Sequence, residues 1–332
     1  MGKLTAKGMW QLLKQTGAGF MRDKVTKLSA SLAYYTIFSL GPMLIVIIYL
    51  LDLFWAKEAI EGRIYGQIKE LVGDSAALQI QDIIKNAAVS GSNTLAAIIG
   101  FVTLIIAATT VFAEIQDSIN TIWKLKAKAE KGWLIMLKSR LLSFSLVVGL
   151  GFLLLVSLTV NALVEGLMDK LKQIFPQITV VLVYIFNLII TLLITSSLFA
   201  IIFKVLPDAV IRWKDVAVGA IFTAMLFMIG KFGITFYIGS SNVSSAYGTA
   251  GSLVILLLWI YYSSIILYFG AEFTKSYALT YGHEIRPNEY AVIVQTVQVE
   301  SRKQTLQENE EDTETTQREL QKAKDELDNS ER

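Results

Sequence analysis

Six long apolar blocks constrain this chain more than any other feature. They fall at about 36–56, 94–113, 140–163, 178–203, 214–238 and 248–271 of 332 residues. Each approaches the roughly 20 apolar residues needed to cross about 30 Å of hydrocarbon. Composition agrees, because only 17% of residues are charged, against about 25% in a soluble domain. The spacing predicts an all-α, polytopic membrane protein with six transmembrane helices and amphipathic surface helices. No repeat is visible at residue level.

Short loops set the orientation. The N-terminal segment carries Lys3, Lys7, Lys14, Arg22, Lys24 and Lys27, and the 114–140 and 204–214 loops are also rich in Lys and Arg. The opposite loops are poorer or offset by acids, so both termini are expected on the cytoplasmic side. The first 27 residues contain no uninterrupted apolar stretch of the kind a cleavable signal needs. Zero cysteines exclude disulfides and thiolate metal sites.

The expected organisation has three parts. Residues 1–30 form a cytoplasmic amphipathic segment, with Trp10, Leu13, Phe20 and Met21 on one side of a helix suited to lying on the inner surface. Residues 31–280 form the six-span domain, with an outer helical hairpin at 57–93. Residues 281–332 form a charged, partly disordered cytoplasmic tail, in which "EYAVIVQTVQVE" (289–300) reads as a short strand or ordered extension.

Polar groups are costly in hydrocarbon, so each one calls for a partner, water or a function. Asp52, Asn161, Glu165 and Lys231 fall in the outer third of the predicted spans, Asn187 near the middle, and Glu114, Lys204 and Glu272 at the inner edge. Lys231 either snorkels along its stem or pairs with Asp52 or Glu165 in a polar cavity. Gly230 and Gly233 would let another helix approach there. Tyr261, Ser264, Tyr268 and Glu272 recur at helical spacing and make one polar stripe. Glu272 is also placed for a simple surface pair with Lys275. The stripe reads either as interhelical bonding or as the lining of a cavity. Gly41-Pro42 interrupts the first block and predicts one kinked helix or two short pieces. Gly248 and Gly251, in the small and polar stretch before the last block, read as linker or as outer gate.

Four segments carry a family resemblance: "LAYYTIFSLGPMLIVI" (32–47), "FAEIQDSINTIWK" (112–124), "LPDAVIRWKDVAVGAIFTA" (206–224) and "YGTAGSLVILLLWIYYSSIILYFGAEFTKSYA" (247–278). In this order they resemble the YihY/virulence factor BrkB family of bacterial inner-membrane proteins, over about residues 15–280. The resemblance implies six transmembrane helices in the inner membrane. Links of some members to envelope lipid export or serum resistance imply a lipid or amphiphile transporter. The ribonuclease label the family has carried finds no support in the residues: one histidine, His283, has no second metal-type ligand at a suitable spacing. Nor is there a phosphate-cradling glycine loop.

The chain is therefore expected to be a transporter or flippase-like protein for a lipid or amphiphilic anion, and not an enzyme. No cofactor, no metal and no nucleic acid is expected. Membrane lipids are the expected partners, with a homo-oligomer or an envelope protein as further partners. A non-transporting envelope scaffold is the alternative.

Overall fold

A computed structural model describes residues 5–54, 78, 94–127, 176–240, 251–289 and 291–294. The predicted hairpin at 57–93 (except Leu78), the block at 140–163 and the tail from 295 onward lie outside these residues. Among the described residues the architecture is helical, with two small two-stranded ladders.

Helix α1 spans Ala6–Arg22 and starts on Thr5, whose Oγ1 accepts from the Gly8 amide at 3.2 Å. That bond satisfies one of the amide groups a helix leaves unpaired at its N-terminus. After Asp23 the chain turns on Lys24, at φ 50°, into α2, Val25–Phe54. Helix α3, Thr94–Ile122, ends in a similar left-handed turn at Lys124, φ 60°, before strand β1, Leu125–Ala127. Helix α4 covers Pro176–Val205, with proline at its first position, where a missing N–H costs nothing. Strand β2 (Ala209–Val210) leads into α5 (Trp213–Ser240), followed by α6 (Gly251–Thr280), β3 (Arg286–Pro287) and β4 (Ala291–Ile293).

Among the described residues, three stretches are long and apolar enough to cross a membrane: Leu188–Val205 in α4, Trp213–Ile238 in α5 and Leu253–Thr280 in α6. The blocks at 36–56 and 94–113 fall largely on α2 and on α3. At about 1.5 Å per residue, a 30-residue helix such as α6 is about 45 Å long. That exceeds about 30 Å of hydrocarbon, so such a helix has surplus turns to extend beyond the bilayer.

Gly41 and Pro42 do not break the chain. α2 runs through them as one helix, because a proline removes a single backbone bond and neighbouring groups can absorb that loss in a membrane helix.

α6 is the central helix, packed against α1, α2, α3 and α5, while α4 packs on α5 and α2 on α3. α5 and α6 run antiparallel and interlock through two matching pentapeptides, Gly219-Ala-Ile-Phe-Thr223 and Gly270-Ala-Glu-Phe-Thr274. The Thr274 side chain fills the notch at Gly219, and the Thr223 side chain fills the notch at Gly270. Both threonines donate to their own glycine's carbonyl at 2.7 Å, which hides the hydroxyls from lipid. The two segments share a local packing pattern and do not amount to a repeat of the chain. Five residues are too few to stand out in a chain rich in Gly, Ala and Phe, but the packing relates them by a local two-fold.

α1 lies alongside α6 in reverse order, with Gly8 under Tyr281, Gly19 under Glu272 and Phe20 against Phe269. Its buried face is Gly8, Leu12, Thr16 and Gly19, while Trp10 and Met21 are 70% and 74% exposed. Of the expected apolar side, Trp10 and Met21 face outward, whereas Phe20 packs against the core. The opposite face of small residues makes α1 follow the end of α6 rather than rest on the surface by its apolar side alone.

The main core gathers at this same end of the bundle, around Val25, Ile119, Ile122, Phe203, Ile211, Val216 and Tyr268. β1 pairs antiparallel with β4, and β2 with β3, so the segment after α6 is clamped onto the loops that follow α3 and α4. The strand expected within 289–300 is present as Ala291–Ile293.

Candidate functional site

The stripe on α6 points into protein. Ser264 and Glu272 are buried, Tyr268 is 0% exposed, and Tyr261 is half-buried. Ser264 Oγ donates to the Ile260 carbonyl at 2.8 Å, and Ser263 Oγ to that of Trp259 at 2.9 Å. The serine hydroxyls are therefore taken up by their own helix. Tyr268 Oη lies near Ser118 of α3, yet both oxygens are buried without a hydrogen bond.

At the lower end of the stripe Glu272 is not a surface residue. It is 1% exposed, so its expected surface pair with Lys275 is instead part of a buried cluster. Gly19 of α1 makes the room, since a Cβ there would sit 2.6 Å from Glu272 Oε2. Asp23, at the α1–α2 corner, receives Lys124 Nζ at 2.5 Å and Arg22 Nε at 3.4 Å. Lys275 Nζ donates to the Ile122 carbonyl at 2.5 Å. It also stands 3.6 Å from Asp23 Oδ2 and 3.7 Å from Glu272 Oε2, within ion-pair range but too far for hydrogen bonds. Burial alone would raise the Asp23 carboxyl. The neighbouring Glu272 carboxyl, the bond from Lys124 and the charge of Lys275 outweigh burial and hold it below the usual 3.8.

One turn away, Asp208 is held by a second set of bonds. Gln116 Nε2 donates to Oδ1 at 3.0 Å and Asn120 Nδ2 to Oδ2 at 2.8 Å, while the Asp208 amide donates to Asn120 Oδ1 at 2.9 Å. The Asp208 carbonyl accepts from the Asn288 amide at 3.0 Å. Trp123 Nε1 donates to the Ala271 carbonyl at 3.1 Å. At the start of α5, Asp215 accepts from the His283 amide at 3.1 Å, with Gly282 close against its carboxylate. A negative side chain at this helix N-terminus also matches the helix dipole.

The end of α3 is thus the hub, joining the corner at Asp23, the α4–α5 loop at Asp208 and α6 at Ala271. Reading the sequence by depth missed Asp23, Lys124, Asp208, Gln116 and Asn120. The available signal was Gln116 and Asn120 at i and i+4 on the inner end of an apolar helix, facing the same way.

The other predicted residues do not converge on this hub. Lys231 is half-buried on α5. Gly230 beside it lies under the Tyr262 ring, as expected of a close helix approach, whereas nothing approaches Gly233. Asp52 lies on α2 and Asn187 on α4, and Gly251 is the buried first residue of α6. Asn161, Glu165 and Gly248 lie outside the described residues. No group of three or more His, Cys, Asp or Glu suited to a metal occurs among the described residues.

Comparison with known proteins places this geometry. The chain is 27% identical over 261 residues to a UPF0761 membrane protein of Stenotrophomonas maltophilia (strain K279a), covering 78% of this chain and 59% of that protein. It is 26% identical over 280 residues to a UPF0761 membrane protein of Pseudoalteromonas atlantica (strain T6c / ATCC BAA-1087), covering 80% of this chain and 86% of that protein. The chain therefore spans about 59% of the length of its Stenotrophomonas relative. No solved structure matches it. The model of the family described as virulence factor BrkB matches residues 16–292, a range that takes in Asp23, Lys124, Asp208, Glu272 and the first three strands. With that match over most of its length, the chain is a membrane protein belonging to the virulence factor BrkB family.

Proposed function

We propose that this protein is a transporter or flippase-like carrier of a lipid or amphiphilic anion in the bacterial inner membrane, with both termini cytoplasmic. The observation that carries the reading is Lys231, a half-buried cation inside the apolar span of α5. Next to it, Tyr262 of α6 lies over Gly230 with its hydroxyl buried and without a hydrogen bond. Ionisable groups at membrane depth are costly and usually mark a pathway or a ligand. A cation in an apolar span suits a phosphate or carboxylate headgroup, while flanking apolar residues suit acyl chains. No enzymatic activity, cofactor or nucleic-acid partner enters this reading.

The test is reconstitution in liposomes with labelled phospholipids, comparing wild type with Lys231→Leu. Lipid movement that Lys231→Leu abolishes without unfolding supports the proposal. Absence of movement for every lipid tested, or movement indifferent to Lys231→Leu, sinks it.

A second reading, a non-transporting scaffold, is favoured by the hub at the end of α3, which ties four parts of the chain into one rigid face. On that reading lipid movement is absent and the face captures an envelope partner. A homo-oligomer is compatible with either reading.

A further inference from the structure

The carboxyl groups of Asp23 and Glu272 meet at the α1–α6 contact with one bond missing. Asp23 Oδ2 and Glu272 Oε1 are both buried and have no hydrogen-bond partner when both groups are ionised. The available cations do not repair this. Lys124 and Arg22 serve Asp23 Oδ1, and Lys275 spends its short bond on the Ile122 carbonyl, 3.6 and 3.7 Å from the two carboxyls. An unpaired buried carboxylate oxygen is expensive. Like charges held this close disfavour double ionisation.

We propose that Asp23 and Glu272 form a proton-binding site, sharing one proton across the α1–α6 contact, and that releasing this proton loosens α1 from α6. The proton gives the two orphaned oxygens the hydrogen bond that the lysines cannot supply. Its loss leaves two negative groups facing each other across a seam that depends on Gly19 for its closeness. The charged groups around the pair are Arg22 from α1, Lys124 from the end of α3 and Lys275 from α6. Two of them are tied to partners on α3 and at the corner, so the repulsion falls on the α1–α6 seam. The proposal stands whether or not the protein moves lipid, since it concerns a proton and the seating of one helix.

The chain has no cysteine, so paired spin labels at Gln11→Cys and Leu279→Cys, both exposed positions, report the α1–α6 distance without background. The full chain in nanodiscs is titrated from mildly acidic to mildly alkaline pH. Inter-label distance and the infrared band of protonated carboxyl groups are followed together. The expected result is a carboxyl band that shifts in D2O and vanishes on raising pH, with the distance lengthening at the same midpoint. In Glu272→Gln, whose amide N–H can still bond Asp23, the band is lost and the distance stays short at every pH. Asp23→Asn is the second variant, with the same expectation. A pH-independent distance in wild type, no titrating band, or a band retained in a folded variant overturns the proposal. If neither variant folds, disagreement of the two wild-type midpoints overturns it.

Discussion

The ring of Phe222 on α5 stacks on that of Phe273 on α6, with centroids 3.7 Å apart and planes 14° from parallel. The pair sits beside the local two-fold axis of the two pentapeptides, so each glycine notch is filled by the other helix's threonine. Close backbone approach between small residues is what holds apolar helices together where lipid gives them no hydrophobic drive.

Gly270→Ala is expected to destabilise the α5–α6 hairpin by about 1–3 kcal/mol, the usual cost of overpacking. A Cβ at this position falls 2.8 Å from the Thr223 Cβ. Thr223→Ala in the same chain should recover part of the loss, because Oγ1 and Cγ2 of Thr223 also crowd that position. Thermal unfolding in detergent checks both. An unchanged midpoint for Gly270→Ala would refute the interlock.

Lys24 and Lys124 occupy the two left-handed non-glycine positions among the described residues, at φ 50° and 60°. A left-handed backbone costs an L-residue about 1–2 kcal/mol, part of which glycine returns through a freer unfolded chain. Lys24→Gly should therefore raise stability slightly. Lys124→Gly should lower it, because it also strips Asp23 of its 2.5 Å partner. Parallel denaturation curves with the same sign for both variants would contradict this assignment.

Asn120 makes two of the bonds that hold Asp208. Asn120→Ala should cost about 2 kcal/mol, since hydrogen bonds to charged groups contribute about 1.5–3 kcal/mol each and some water will replace them. Asn120→Asp should cost more, by placing a like charge against Asp208. Limited proteolysis of the segment after α6 is the sensitive readout, because Asp208 also carries the Asn288 amide. Unaltered cleavage in both variants would count against the clamp.

Asp117 is raised above its usual 3.8 by burial first, and then by the negative charges of Glu114 and Asp208. A carboxyl raised on folding withholds stability above its unfolded value, because the unfolded chain releases that proton more readily. Asp117→Asn should therefore be more stable than wild type at neutral pH. The gain should shrink as pH falls towards 3.8 and be gone below it. Unfolding midpoints measured across that window, with a gain that persists at low pH, would exclude the charge explanation.

The helical blocks were legible because a span needs about 20 apolar residues and no other soluble or fibrous arrangement writes that pattern. The stripe of Tyr261, Ser264, Tyr268 and Glu272 was legible as a face, because helical periodicity fixes which residues share a side. What that face touches was not legible. Serines 263 and 264 bond to their own helix, while Glu272 meets a residue some 250 positions earlier in the chain. The left-handed turns at Lys24 and Lys124 were also invisible, because lysine is not a residue that favours them.

The sequence by itself determined that this chain is built on long apolar helices and that one side of α6 is polar. Those are local properties of composition and period. Only the tertiary structure decided that α1 follows α6, that Asp23, Lys124, Glu272 and Lys275 share one buried site, and that Asp208 is held by Gln116 and Asn120. The reason is that a buried charge takes its partners from whatever the packing brings near, and the glycines that allow such packing carry no side chain to announce it.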